Sequence, residues 1–292
     1  MQAKAYAKIN LCLDVVNKRA DGYHDLKTVM QTVDLYDSLT FQIKESKEKK
    51  IKLTSNHPGL PLDCRNLVCR AAELFMKLTG ICLDIEVHIQ KRIPVAAGLG
   101  GGSSDAGCTL RVLNRWAGEP LDWAYLSVES KAIGADVPFA VYGGTALVEG
   151  IGEQVFPIPK KENIGLVLVC PRISVSTKSV FQRYVLDDPM EEKVLGVAEA
   201  LKKGDIRLLG QNLFNKLERV TIKDYPLIGE IKNMLMNAGA FGAVMSGSGP
   251  SVFGVFPDLD EARKAEQNIA YRLGRSVRTF CIMTVEGVIY EQ

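Results

Sequence analysis

The chain has 292 residues, 47% of them hydrophobic, and a formal net charge of +2 at pH 7. That allows one large or two medium domains around a full apolar core, and it excludes a broad basic field for nucleic acid, so attraction for an anion must be local. Seven scattered cysteines without a C-x-x-C pair suggest neither a disulfide framework nor a zinc site, and no apolar run is long enough to span a bilayer, so a reducing cytoplasm and no membrane partner are expected.

In chain order, Ala5-Tyr-Ala-Lys-Ile-Asn-Leu-Cys-Leu13 alternates as a strand. Ala7, Ile9, Leu11 and Leu13 are expected on one face and Tyr6, Lys8, Asn10 and Cys12 on the other, so Lys8 and Asn10 share a side. Asp21-Gly-Tyr-His24 reads as a turn. Residues 29–35 and 39–43 read as two strands. The charged run 44–52 is expected at the exposed tip of a hairpin that returns through 51–54. Residues 66–78 have helical spacing, and 83–90 alternate as a strand.

Next comes Pro94-Val-Ala-Ala-Gly-Leu-Gly-Gly-Gly-Ser-Ser104, followed by a helical stripe of Ala106, Leu110, Leu113 and Ala117. A strand, a glycine loop and a helix N-terminus together make an anion site, because uncovered backbone N–H groups can converge on a phosphate and the helix dipole favours negative charge. Two commoner glycine motifs are excluded. A P-loop needs lysine before its Ser/Thr, and G-x-G-x-x-G started at Gly98 would need glycine where Ser103 stands.

Residues 121–133 read as a second helix, ending at Gly134-Ala-Asp-Val-Pro138. Residues 143–150 and 154–156 read as a strand pair. The polar, proline-containing stretch 157–163 is the expected boundary, giving domains 1–157 and 158–292. The second domain opens with a buried strand, 164–170. Helical runs follow at 176–184, 191–203, 208–217 and 227–238. Ala243-Val-Met-Ser-Gly-Ser-Gly-Pro250 precedes a strand, then a helix at 258–273 started by Asp258 and Glu261, and a strand at 278–285. The mixture predicts two α+β domains.

Singly, the polar candidates have plain structural readings. Lys8 and Asn10 could be outward residues of a half-exposed strand, and Asp136 a cap before Pro138. Tyr23 and His24 could be turn scaffold, residues 246–249 a hairpin turn, and Phe181 core. Together, a phosphate loop, a lysine, an aspartate and a second Gly/Ser turn are the parts for moving a phosphoryl group, which needs positioning and charge neutralisation more than covalent chemistry.

Residues 94–104 resemble the phosphate loop of the GHMP kinase superfamily. Residues 243–255 resemble its C-terminal glycine motif, and 5–11 its N-terminal motif. Asp21-Gly-Tyr-His24, Gly134-Ala-Asp-Val-Pro138 and the undivided glycine block narrow the resemblance to a member whose acceptor is a cytidine diphosphate-linked polyol. The resemblance implies an N-terminal domain like ribosomal protein S5 domain 2, a ferredoxin-like C-terminal domain, and a cleft between them. It implies ATP as donor with magnesium, Lys8 and Asp136 as catalytic pair, and Pro94, Val95, Ala96, Ala97, Gly98, Leu99, Gly100, Gly101, Gly102, Ser103 and Ser104 as the ATP loop. Asn10, Tyr23, His24 and Phe181 match acceptor-binding positions, with Tyr23 and Phe181 expected to sandwich the cytosine. The metal ligands stay unassigned, since Glu129 lies too near Asp136 to match a metal-binding glutamate. Related kinases of mevalonate, homoserine or sugars, a nucleotide sensor, and an RNA-binding module are the competing readings. The cytosine-matching turn, the retention of both Lys8 and Asp136, and the lack of a basic aromatic stripe speak against them in turn.

Overall fold

The computed structural model describes residues 1–285. The first half contains β1 (Gln2–Lys18), β2 (His24–Glu45), β3 (Lys50–Ser55), α1 (Leu67–Thr79), β4 (Leu83–Gln90), α2 (Gly101–Trp116), α3 (Trp123–Ser130), α4 (Val137–Tyr142), β5 (Thr145–Gly150) and β6 (Gln154–Pro157). The second contains β7 (Gly165–Pro171), α5 (Thr177–Arg183), α6 (Glu191–Lys203), α7 (Ile206–Asn212), β8 (Phe214–Asn215), α8 (Glu218–Asp224), α9 (Leu227–Asn237), β9 (Gly242–Met245), β10 (Val252–Val255), α10 (Leu259–Leu273) and β11 (Val277–Met283). Among these residues no helix is long and apolar enough to cross a membrane.

The larger sheet runs β3-β4-β2-β1-β8, with β5 on β2 and β6 on β5. Helices α1 and α2 cover one face over a core that includes Phe41, Phe75, Ile85, Leu110 and Leu113. Asn66 starts α1 as expected, its side chain accepting the Val68 N–H. The smaller sheet runs β11-β7-β10-β9, all antiparallel. Strand β7 is apolar at nearly every position because both its faces are covered. Leu166 and Leu168 join the core shared with Ile9 and Leu11 of β1. Val167 and Val169 join the core under α9 and α10. One core thus spans both sheets and sets the halves against each other. The two-residue β8 comes from the second half yet pairs with β1 in the first sheet.

Four expectations are corrected. Strand β2 runs unbroken for 22 residues, so the two expected strands are one. Asp37, in the gap between the two expected strands, is fully buried and held by Lys91 and by the backbone of Arg92 and Ile93. Strand β3 does not form a hairpin with β2. It pairs in parallel with β4, which lies between them. The run expected as a helix at 208–217 is divided between α7 and β8. Finally, β1 carries register shifts between Tyr6 and Lys8 and between Asn10 and Cys12. A bulge inserts a residue and changes the phase of the alternation. Cys12 therefore joins Ala7, Ile9 and Leu11 in the core, while Leu13 lines the cleft with Lys8 and Asn10.

Candidate active site

A cleft of about 1140 Å³ lies where the glycine loop, β1, the 21–24 turn, α5 and the 246–249 turn meet. Small-molecule pockets ordinarily measure roughly 300–1,000 Å³, so this cleft stands at the large end of that range. Every candidate residue lines it except Ser104, which is buried in the first turn of α2 with its N–H on the Gly100 carbonyl at 2.8 Å.

The loop is fixed by what surrounds it. Gly98 (φ 76°) and Gly100 (φ 65°) sit in the left-handed region. A Cβ on Gly98 would stand 2.3 Å from the Ser246 carbonyl oxygen, and one on Gly100 would stand 2.9 Å from Lys8 Cγ. The second Gly/Ser turn is a hairpin connection between β9 and β10, and it also braces the loop. Ser246 Oγ donates to the Gly98 carbonyl at 2.9 Å and accepts the Asn10 N–H at 3.3 Å. Asn215 holds this turn from below, donating to the carbonyls of Met245 and Gly247 at 2.8 and 2.7 Å. Asn215 was missed because it sits inside an apparent helical run.

Lys8 is anchored by strand pairing on β1 and by its N–H on the Leu99 carbonyl at 3.0 Å, which ties the loop to the strand. Its ammonium donates to Asn10 Oδ1 at 2.8 Å and lies 3.4 Å from Asp136 Oδ2. Asn10 in turn donates to Thr28 Oγ1 at 2.9 Å, which donates to the Cys12 carbonyl. Lys8 and Asn10 are buried, so neither is an outward strand residue. Asp136 occupies the N-cap of α4 but its side chain makes no capping bond. The simple capping role is therefore absent, and a partly exposed carboxylate stands beside a buried ammonium.

On the opposite wall, Asp21 Oδ1 accepts the Tyr23 N–H at 3.0 Å and shapes the turn, with Gly22 at φ 87°. Tyr23 is 62% exposed. His24 begins β2 and lies against Phe181 of α5, ring centroids 5.4 Å apart and planes tilted 31°. Burial, then the Lys18 charge, lowers the His24 pKa, so its ring is neutral at neutral pH. A neutral imidazole offers one donor and one acceptor. Thr177 and Ser248 hydroxyls, 2.7 Å apart, join α5 to the second glycine turn.

Among the described residues no group of three or more His, Cys, Asp or Glu could hold a metal ion. Magnesium needs no such cage. It keeps several waters and is held by substrate phosphates with one or two carboxylates.

Two sheets around a shared core, with a glycine loop and a lysine–aspartate pair facing one cleft, define a two-domain small-molecule kinase. Residues 66–144 match the family described as GHMP kinases N terminal domain, and residues 197–274 match GHMP kinases C terminal. The chain is 46% identical over 264 residues to the 4-diphosphocytidyl-2-C-methyl-D-erythritol kinase of Clostridium kluyveri, covering 90% of this chain and 93% of that one. It is 42% identical over 270 residues to the enzyme of the same name from Caldicellulosiruptor saccharolyticus, covering 92% of each. A crystal structure of 4-(cytidine 5'-diphospho)-2C-methyl-D-erythritol kinase aligns with a TM-score of 0.79 at 29% identity, over 97% of this chain and 99% of that one. The chain therefore belongs to the GHMP kinases, in the branch of the 4-diphosphocytidyl-2-C-methyl-D-erythritol kinases. Its α+β fold is that of the family, and ATP is its phosphoryl donor.

Proposed function

We propose that this chain transfers the γ-phosphoryl group of ATP to the 2-hydroxyl of 4-diphosphocytidyl-2-C-methyl-D-erythritol, a cytoplasmic step in the non-mevalonate route to isoprenoid precursors. The observation that carries this reading is the Lys8–Asp136 pair, 3.4 Å apart beside the glycine loop, with the Asp136 side chain not engaged in capping its helix.

In this reading residues 1–157 form the domain that holds ATP and the catalytic pair, and 158–292 the domain that completes the acceptor wall. Asp136 accepts the proton of the acceptor hydroxyl. That oxygen forms the new bond to the γ-phosphorus as the bridging bond to the β-phosphate breaks and ADP leaves. Lys8, held by Asn10, stabilises negative charge on the transferring group. Magnesium, when it accompanies ATP, neutralises phosphate charge, and no ligand for it is assigned to the protein.

Acceptor choice falls to the opposite wall. Tyr23 and Phe181 offer faces for the cytosine, and stacked base–aromatic contacts are worth about 1–3 kcal/mol each. Stacking alone tolerates any base, so the neutral His24 ring and backbone read the polar edge, where N4–H₂ distinguishes cytosine from uracil. Asn10 lies at the polyol end beside Lys8.

The test is ADP release by purified protein with ATP and magnesium against a panel of acceptors. Turnover is expected with the cytidine compound and very little with its uridine counterpart, mevalonate or homoserine. Equal turnover with mevalonate or homoserine would sink the reaction assignment. Equal turnover with the uridine analogue would leave the acceptor recognised through its diphosphate and erythritol alone.

A further inference from the structure

We propose that Lys91, Asp37 and Asp105 form a buried clamp that ties together the two ends of the glycine loop and so positions ATP. The loop leaves β4 at residues 91–93 and re-enters regular structure in α2, and one ammonium joins both ends. Lys91 Nζ donates to Asp105 Oδ2 on α2 at 2.8 Å and to Asp37 Oδ2 on β2. The other oxygen of Asp37 accepts the N–H groups of Arg92 and Ile93 at 2.5 and 2.9 Å, just before the loop. Asn56, past the end of β3, brackets the Lys91 backbone. Its Oδ1 accepts the Lys91 N–H at 2.8 Å and its amide donates to the Lys91 carbonyl at 3.3 Å.

The three charged side chains are 4%, 0% and 5% exposed. Buried ion pairs are weak sources of stability, because desolvation offsets their attraction, so a network like this is better explained by the geometry it imposes. That geometry is the loop's. A Cβ placed on Gly101 would lie 3.3 Å from Lys91 Nζ and 3.1 Å from Ile93, so the ammonium sits directly beneath the loop. The missing Cβ of Gly101 thus leaves room for the clamp beneath the loop.

The charge state is consistent. Burial opposes the Lys91 charge, but the two carboxylates outweigh it and its pKa rises. Burial and the neighbouring Asp37 charge push Asp105 up to about 8 against the pull of Lys91. One Asp105 oxygen is buried without a partner. An amide at 105 replaces the acceptor of Lys91 on α2 by a weaker one, and an amide at 37 puts its NH2 against the ammonium or the backbone N–H groups.

The inference rests on the loop holding ATP phosphates. The experiment compares wild type with Lys91→Met, Asp37→Asn and Asp105→Asn, reading steady-state KM for each substrate and backbone amide exchange in the ligand-free proteins. Lys91→Met and Asp37→Asn are expected to speed exchange within residues 94–104 and to lower kcat/KM for ATP roughly tenfold to a hundredfold, with acceptor KM unchanged. Asp105→Asn, which weakens the tie of Lys91 to α2, should loosen the loop in the same direction, whereas the exposed Lys47→Met should behave as wild type. Wild-type loop exchange and ATP KM in Lys91→Met overturns the clamp. Should Lys91→Met not fold, wild-type loop exchange in both Asp37→Asn and Asp105→Asn overturns it equally. A wild-type protein that forms no ADP with any acceptor would instead sink the kinase reading itself.

Discussion

Asp136 and Lys8 carry the sharpest single-residue expectation. Removing one preorganised contact to a transition state costs roughly 10²–10³ in turnover. Asp136→Asn and Lys8→Ala should each lose at least that in kcat, with ATP affinity little changed in Asp136→Asn. Near-normal turnover in Asp136→Asn would remove the base role. Gly98→Ala should be more damaging than Gly101→Ala, because its Cβ meets the Ser246 carbonyl oxygen at 2.3 Å whereas that of Gly101 meets side-chain atoms at 3.1 Å or more. Melting temperature and ATP KM would rank the two. Ala96 gives the opposite expectation. It holds φ at 54°, a conformation that costs an L-residue about 1–2 kcal/mol. Alanine to glycine ordinarily destabilises by about 0.5–1 kcal/mol through unfolded-chain entropy. Ala96→Gly should therefore be neutral or stabilising in denaturant titration, and a full ordinary loss would show that Ala96 carries no strain.

Helix α10 shows how local chemistry sets an element without touching the site. Asp258 is extended at its N-cap and accepts the Glu261 N–H at 2.8 Å, with Asp260 and Glu261 in the first turn. One stripe, Ala262, Ala265 and Ile269, packs under the smaller sheet. Asp258→Ala should cost roughly 1 kcal/mol, the usual value of a lost side-chain cap. A small fall in melting temperature with unchanged kcat and KM is the expected outcome, and a changed KM would show that α10 reaches the cleft. The long strand β2 illustrates the opposite dependence. One edge pairs with β1, and the other pairs with β5 at residues 26–31 and with β4 at 38–45, while between them Val33 bridges to Thr284.

The two halves are joined by a second buried ionic group. Lys216, beside β8, lies 2.6 Å from Asp14 of β1 and 3.0 Å from Asp187 in the α5–α6 connection, and donates to the Asp188 carbonyl at 2.6 Å. Asp14 also accepts the Met190 N–H at 2.6 Å. The connection that follows Phe181 is thereby pinned to the strand that carries Lys8 and Asn10. Burial alone would raise the Asp187 pKa. The Tyr184 hydroxyl, Lys216 and Arg219 outweigh it and hold the carboxyl at about 2, below its ordinary 3.8. The native state then binds fewer protons than the unfolded chain, so this contribution is present above about pH 4 and lost as pH falls towards 2. Solvent screening of the partly exposed carboxylate keeps it small. Asp187→Asn should flatten the acid limb of stability between about pH 4 and 2 and leave it unchanged near neutrality. An acid limb identical to wild type would show that the network does not stabilise the joint.

The glycine loop, α1, β4, α6, β7 and α10 were legible in the chain because their signals are local. Period, cap and turn residues lie within one element and need no distant partner to be recognised. The kinase class was legible for a related reason, since a phosphate loop works through its own backbone. The rest depended on partners far along the chain. Asp37 lies buried within β2 because Lys91, 54 residues on, supplies its counter-charge. Leu13 reaches the cleft only because the extra residue of β1 at Leu11 shifts its phase against β2. Strand β3 is placed by β4 arriving between it and β2, and β8 by an edge of β1 that the second half completes. The Lys8–Asp136 pair spans 128 residues and needs β1, the loop and α4 together. Backbone propensity is a property of neighbours in sequence, whereas burial, register and charge pairing are properties of neighbours in space, and the chain alone does not say which distant residues those will be.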